Sequence, residues 1–234
     1  MIDAIFIQSW HGELIDGSLS RLLVQIHDKL NTPVPVWTFV NNKSLEYTEV
    51  VEQMSWLQQQ GLTRFEFVDD TEYHNAQTTV FYHMLRVKTS HYPRVLLLEA
   101  DCQLSEHFDT PITQDIKCLD DWWIYGSTYY GIGGGEVEHD DNRLRRSHMN
   151  GVAVYNRTPE YMRYAKLVFE TERGRDSKLA FDWLFAMSFF KSEHKNKQVM
   201  YDSPYIINLS PVWDREVHAS TRKPLATIVH QKSD

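Results

Sequence analysis

Arg94-Val95-Leu96-Leu97-Leu98-Glu99-Ala100-Asp101-Cys102 is the stretch whose reading decides the fold. An apolar run breaks off into an acid, a small residue and a second acid. A run this short and unbroken reads as a strand buried on both faces, the kind found in a parallel sheet. In open α/β sheets ligands bind beyond the carboxyl ends of the strands. Glu99 and Asp101 lie at that end. Carboxylates there can hold a hard divalent cation, which in turn can grip a diphosphate. Acids also end strands simply because the chain has reached water, so the rest of the sequence has to decide.

Outward toward the N-terminus, strand and helix signals alternate. Ala4 to Gln8 reads as a buried strand. Leu19, Leu22, Leu23, Ile26 and Leu30 follow helical spacing, with Ser18 placed to cap the helix. Pro35 to Val40 reads as a second strand, ending in Asn41 and Asn42. Val50, Met54 and Leu57 mark a second helix that Gly61 stops. Arg64 to Val68 is a third strand, followed by Asp69 and Asp70. Val80, Phe81, Met84, Leu85 and Val87 mark a third helix with Asn75 near its start. This alternation predicts a parallel sheet built from right-handed crossovers.

The second half reads differently. Trp122 to Ser127 and Gly151 to Tyr155 are expected strands. Between them, Gly131-Ile132-Gly133-Gly134-Gly135 opens a mixed-charge run, and residues 129–148 are expected to form a mobile loop over a binding site. Thr158-Pro159 opens a helix, with proline at its first position. Another helix is expected from about Lys178 to Phe190, with Leu179, Trp183 and Met187 as its apolar stripe. Ala226 to His230 reads as a last short strand.

Bulk properties narrow the function. At 234 residues the chain supports one sizeable α/β core. A formal net charge of -8 argues against a general nucleic-acid binder, which needs concentrated Lys and Arg. The only cysteines are Cys102 and Cys118, which form no disulfide framework and suit a reducing compartment. No apolar run approaches transmembrane length, and Met1 to Ile7 lacks the basic region of a signal peptide. These features predict a cytoplasmic protein without a membrane span.

Three motifs together resemble the GT-A fold of metal-dependent, nucleotide-sugar glycosyltransferases. Arg94 to Asp101 is similar to that fold's metal-binding Asp-x-Asp strand, with Glu99 in place of the first Asp. Asn150-Gly151-Val152-Ala153-Val154-Tyr155 resembles the Asn-(Ala/Ser)-Gly-apolar strand that follows the donor site. Ile228-Val229-His230-Gln231-Lys232 resembles the C-terminal segment whose histidine often supplies a further metal ligand. The resemblance implies one GT-A-like (Rossmann-like) domain over 1–234, with a mostly parallel central sheet flanked by helices. Residues 1–101 would bind the nucleotide sugar and 102–234 the acceptor.

The resemblance also implies roles. Glu99, Asp101 and His230 would hold Mn2+ or Mg2+, and Lys232 would reach the diphosphate as a point charge. Gln8, Ser9, Trp10 and Asn41, at the ends of the first two strands, would take the base and ribose. Arg86, late on the third helix beside Lys88, would assist the donor. Asn150, Gly151 and Tyr130 would face the acceptor, a glycan or other hydroxyl compound. Asp182 interrupts an apolar run, where a carboxylate is costly without a partner or a task. It would be the base of an inverting reaction, or a sugar ligand in a retaining one. A uridine donor and inversion are the expected variants. His139, Asp140 and Asp141 read as a solvated charged cluster.

Two other readings stay open. A sugar-phosphate nucleotidyltransferase shares a similar sheet, but its Gly-rich basic loop is missing from Gln8-Ser9-Trp10-His11-Gly12-Glu13. A non-catalytic nucleotide- or carbohydrate-binding module would keep the fold without turnover.

Overall fold

The structure is a computed structural model that describes residues 1–69, 76–86, 91–130, 149–209 and 223–231. The strands are β1 (Ala4–Ser9), β2 (Val36–Asn41), β3 (Arg64–Val68), β4 (Arg94–Glu99), β5 (Gln103–Leu104), β6 (Ile124–Tyr130), β7 (Met149–Asn156), β8 (Met200–Asp202), β9 (Ile206–Leu209) and β10 (Ile228–Gln231). They join in one sheet in the order β3-β2-β1-β4-β7-β6-β9-β10-β5, with β8 paired to β6. Only β7 and β5 run against the others among the described strands. The helices are α1 (His11–Ile15), α2 (Ser18–Lys29), α3 (Thr48–Gln59), α4 (Ala76–Arg86), α5 (Asp109–Ile116), α6 (Pro159–Phe169), α7 (Glu172–Arg175) and α8 (Phe181–Lys191). This is the mostly parallel α/β architecture that the alternation predicts.

Strand periodicity sorts the core into two layers, because successive side chains point to opposite faces. Phe6, Leu97, Ala153 and Tyr155 pack beneath α4, α6 and α8. Ile5, Ile7, Leu96, Leu98, Val152 and Val154 pack beneath α2 and α3. Ile5, Ile7, Leu96 and Leu98 are completely inaccessible to solvent, as expected for strands with both faces covered.

Local chemistry sets most element boundaries. Thr158 caps α6 by accepting from the Tyr161 backbone N–H, with Pro159 at the first turn. Gly61 takes a φ of +72° just beyond α3, a conformation that suits glycine. Gly17, not Ser18, holds the cap position of α2 with a φ of +76°. Ser18 is the first helical residue, and its hydroxyl donates to the Glu13 carbonyl. The strand expected to end at Ser127 runs on to Tyr130, because Tyr129 and Tyr130 pair with Asn208 and Leu209 of β9. Those two tyrosines therefore belong to the sheet rather than to a loop. The rest of the expected loop, 131–148 with His139, Asp140 and Asp141, lies outside the described residues, as do Asp70, Asn75, Val87, Lys88 and Lys232. The later helix starts at Phe181, so the exposed Leu179 precedes it and is not part of its apolar stripe.

Candidate metal centre

The described residues bring Glu99, Asp101 and His230 together at the carboxyl ends of β4 and β10. The donor atoms lie within 4.8 Å of one another. His230 Nε2 is 3.2 Å from Glu99 Oε2 and 3.2 Å from Asp101 Oδ1. An ion bound at about 2.1 Å from each donor places neighbouring donors about 3 Å apart, so the two 3.2 Å separations suit ligands of one divalent cation.

The histidine is held from behind. The buried Asn208 of β9 donates from its amide nitrogen to the Ser127 carbonyl, 3.2 Å away. That bond orients the amide, so Asn208 Oδ1 accepts from the Nδ1–H of His230 at 2.8 Å. Nε2 is thereby aimed at the two carboxylates. It is buried and has no well-aligned hydrogen-bond partner despite their proximity. Such an atom between two carboxylates suits either a proton or a cation. Burial alone would lower the His230 pKa, but Glu99 and Asp101 outweigh it and hold the imidazolium up to about 10. A metal ion would take the place of that proton.

A third carboxylate stands near. Glu13, in the first turn of α1, accepts from the Trp10 backbone N–H at 3.3 Å. Burial pushes its carboxyl up to about 7, the Ser9 hydroxyl and the Trp10 backbone pull it down, and Glu99 and Asp101 add to the rise. The site thus gathers three carboxylates that act on one another and on one imidazole, a donor set that could hold a metal ion.

The remaining expected residues divide. Gln8 lies opposite Glu99 in the register of β1 and β4, and its side-chain amide donates to the Gln77 carbonyl. Ser9 is buried at the end of β1. Trp10 is half exposed and packs edge-on to His11, whose ring stacks on Tyr47 at 4.5 Å. These aromatics crowd the ends of β1 and β2. Asn41 Oδ1 accepts from the backbone N–H and the hydroxyl of Ser44, so that oxygen is committed to the 3-10 turn Asn42–Glu46. Tyr130 and Asn150 lie on the neighbouring strands β6 and β7.

Asp182 occupies the first turn of α8 and accepts from the Trp183 backbone N–H at 2.9 Å. It lines a small cavity with Phe81, Tyr155, Tyr161 and Phe185. Its neighbour Phe181 and the Glu99 carboxylate both lie close beside Gly151.

Arg86 is the last residue of α4. Its guanidinium lies 3.6 Å from Glu170 and 4.9 Å from the centre of the Tyr82 ring. It ends the helix that precedes β4, and Glu99 stands at the far, carboxyl end of that strand. Crossover geometry alone predicts this, since a helix returning antiparallel to its strands ends at the opposite edge of the sheet.

Sequence reasoning missed Asn208 and Glu13. Asn208 carried a signal, an amide inside Ile206-Ile207-Asn208-Leu209, of the kind that drew attention to Asp182. Glu13 sits where a short helix was not expected.

No family model and no curated protein matches the sequence. Solved structures do match. The galactosyltransferase LgtC, in complex with donor and acceptor sugar analogs, aligns with a TM-score of 0.58 at 13% identity, over 98% of this chain and 87% of that one. Mouse xyloside xylosyltransferase 1 aligns with a TM-score of 0.56 at 10% identity, over 97% of each chain. Residues 1–349 of S. aureus TarS, in complex with UDP-GlcNAc, align with a TM-score of 0.54 at 10% identity, over 100% of this chain and 59% of that one. The chain has the GT-A fold of these glycosyltransferases.

Proposed function

We propose that the chain is a divalent-metal-dependent glycosyltransferase that moves a sugar from a nucleoside diphosphate to a hydroxyl acceptor. The observation that carries this is the convergence of Glu99, Asp101 and His230 Nε2 at the carboxyl edge of a GT-A sheet. Mn2+ or Mg2+ bound there would act as a Lewis acid on the leaving diphosphate. Glu99 and Asp101 supply oxygen donors, and His230 supplies a nitrogen donor oriented by Asn208. The exposed Trp10 and the ends of β1 and β2 offer a surface for base and ribose. Residues 1–101 then form the donor half and 102–234 the acceptor half of one domain. The UDP-GlcNAc held by TarS supports a uridine donor, and the Trp10–His11–Tyr47 aromatics suit a stacked pyrimidine. Among the described residues, no helix is long and apolar enough to cross a membrane.

Asp182 is our assignment for the group that takes the acceptor proton in an inverting transfer. A general base must lie within hydrogen-bond reach of the attacking hydroxyl. Phe181, which precedes Asp182 at the start of α8, lies beside Gly151, the residue opposite Glu99, and this neighbourhood supports the assignment.

The test is a panel of UDP-, GDP- and CDP-sugars with Mn2+ and simple glycoside acceptors, followed by NMR of the product anomer. Transfer from a UDP-sugar with inversion is expected. Asp182→Asn should lower turnover at least 100-fold while leaving donor affinity within about threefold, because proton removal counts chiefly in the transition state. Failure to release nucleotide from any donor would return the binding-module reading.

A further inference from the structure

Glu99 departs from the shorter acid expected at its position, and the structure gives that departure a partner. Extending the β4–β7 register from Leu97↔Ala153 places Glu99 opposite Gly151. Directly opposed residues in an antiparallel pair put their side chains on the same face, with Cβ atoms about 5 Å apart. Gly151 contributes no side chain, and Glu99 takes the space. An ideal Cβ on Gly151 would lie 2.7 Å from Glu99 Oε1 and 2.9 Å from Phe181 Cζ. Both approaches are closer than a real Cβ tolerates. The other carboxylate oxygen, Oε2, is the one 3.2 Å from His230 Nε2. One oxygen therefore rests over bare glycine backbone while the other faces the histidine.

Phe181 closes this space from the helical side. Its ring stacks on Phe81, with centroids 3.8 Å apart and planes 8° from parallel. The Tyr155 hydroxyl donates to the Gly151 carbonyl at 3.0 Å, which fixes the strand backbone beneath the carboxylate. The socket thus has a glycine floor and an aromatic wall. The Glu side chain reaches across it, whereas the carboxylate of Asp, one methylene shorter, would stop nearer to β4.

We propose that Gly151 is a positioning residue, a socket that seats the Glu99 carboxylate in the metal centre, and that Glu at 99 and Gly at 151 form a matched pair. This rests on the metal reading of the site. A methyl group at 151 meets the far end of a flexible side chain, so Glu99 yields by rotating away rather than by unfolding the sheet. The damage falls on ligand geometry, and metal affinity registers it more strongly than stability does.

The experiment is a double-mutant cycle on the full chain, reading Mn2+ affinity by calorimetry in the absence of nucleotide. Gly151→Ala should weaken Mn2+ binding at least tenfold. In a Glu99→Asp background the same change should cost less than threefold, because the shorter acid no longer occupies the socket. An equal loss in both backgrounds, or no loss in the first, overturns the proposal. Gly151→Ala/Phe181→Leu relieves the ring contact and keeps the carboxylate contact. It should remain as weak for Mn2+ as Gly151→Ala, and full recovery would assign the effect to Phe181 and refute the pairing. A metal-free crystal structure of Gly151→Ala should show the carboxylate displaced from His230, and a carboxylate still 3.2 Å from Nε2 contradicts the pairing. Absence of Mn2+ binding by the unmutated chain contradicts the metal reading instead, and the metal-free structure still decides the pairing.

Discussion

The two halves of the sheet share an apolar core but differ in the polar bonds added to it. From β1 to β4 the strands are clamped by apolar side chains on both faces, with Ile5, Ile7, Leu96 and Leu98 wholly buried. From β6 to β10 the apolar core continues, with Ile206, Ile207, Leu209 and Ile228 wholly buried, and buried polar struts are added to it. Lys223 Nζ reaches Ser127 Oγ at 3.1 Å, Asp202 Oδ1 at 2.7 Å, and the carbonyls of Ser203 and Ile206 at 2.6 and 3.1 Å. Asn208 ties β9 to β6 and to His230. The first half rests on non-directional burial that tolerates variation, and the second adds directional bonds that fail when one partner is lost. The candidate site takes its acids from the apolar half and its histidine from the polar half. It is therefore assembled only when both halves are in place.

The sharpest break of this contrast is a cavity in the apolar half. Leu98→Ala should destabilise the chain by about 2–5 kcal/mol in chemical denaturation, with Mn2+ affinity of the folded fraction changed little. In the polar half, Lys223→Met should cost about 1–3 kcal/mol, because Ser203 and Ile206 keep buried carbonyls that have lost a donor. Unlike Leu98→Ala, it should also weaken Mn2+ binding, since the Ser127 and Ile206 backbones that support Asn208 and β10 loosen. If calorimetry finds the reverse pattern, the division of labour is wrong.

A smaller effect isolates the strut behind the histidine. Asn208→Ala should lower Mn2+ affinity about 10–100-fold, the usual cost of removing a group that orients a metal ligand. Asn208→Asp should recover part of it, since a carboxylate oxygen can still accept from Nδ1–H. Loss without recovery would mean that Asn208 acts through the Ser127 contact alone.

The smallest effect concerns Glu13. Its folded pKa of about 7 exceeds the ordinary value of 4.5, so the folded chain keeps this proton longer than the unfolded chain. The stability associated with the protonated form is complete below pH 4.5 and is lost as pH rises through 7. In chelator, Glu13→Gln should flatten the stability profile across that window by about 1–2 kcal/mol after allowance for solvent screening. An unchanged slope would place the Glu13 carboxyl in solvent.

The same contrast explains what the sequence disclosed. Leu96 to Leu98, the helical spacing of Leu19 to Ile26 and the stop at Gly61 are periodic or conformational signals, and they survive in the structure nearly residue for residue. Glu99, Asp101 and His230 were legible because each ends an apolar run. Lys223 and Asn208 were not, because a single polar residue in a weakly patterned stretch does not announce its distant partners. Short elements such as β5 and β8 gain their structure from pairing rather than from their own pattern.

The central claim, a cation centre shared by the two halves, is tested most directly by titrating UDP into the chain with Mn2+, with and without chelator, for the unmutated protein and for His230→Ala. The account predicts that UDP binds the unmutated chain with Mn2+, that chelator abolishes the binding, and that His230→Ala weakens the Mn2+-dependent binding at least 100-fold with the fold retained by circular dichroism. UDP affinity indifferent to both chelator and His230→Ala would contradict it.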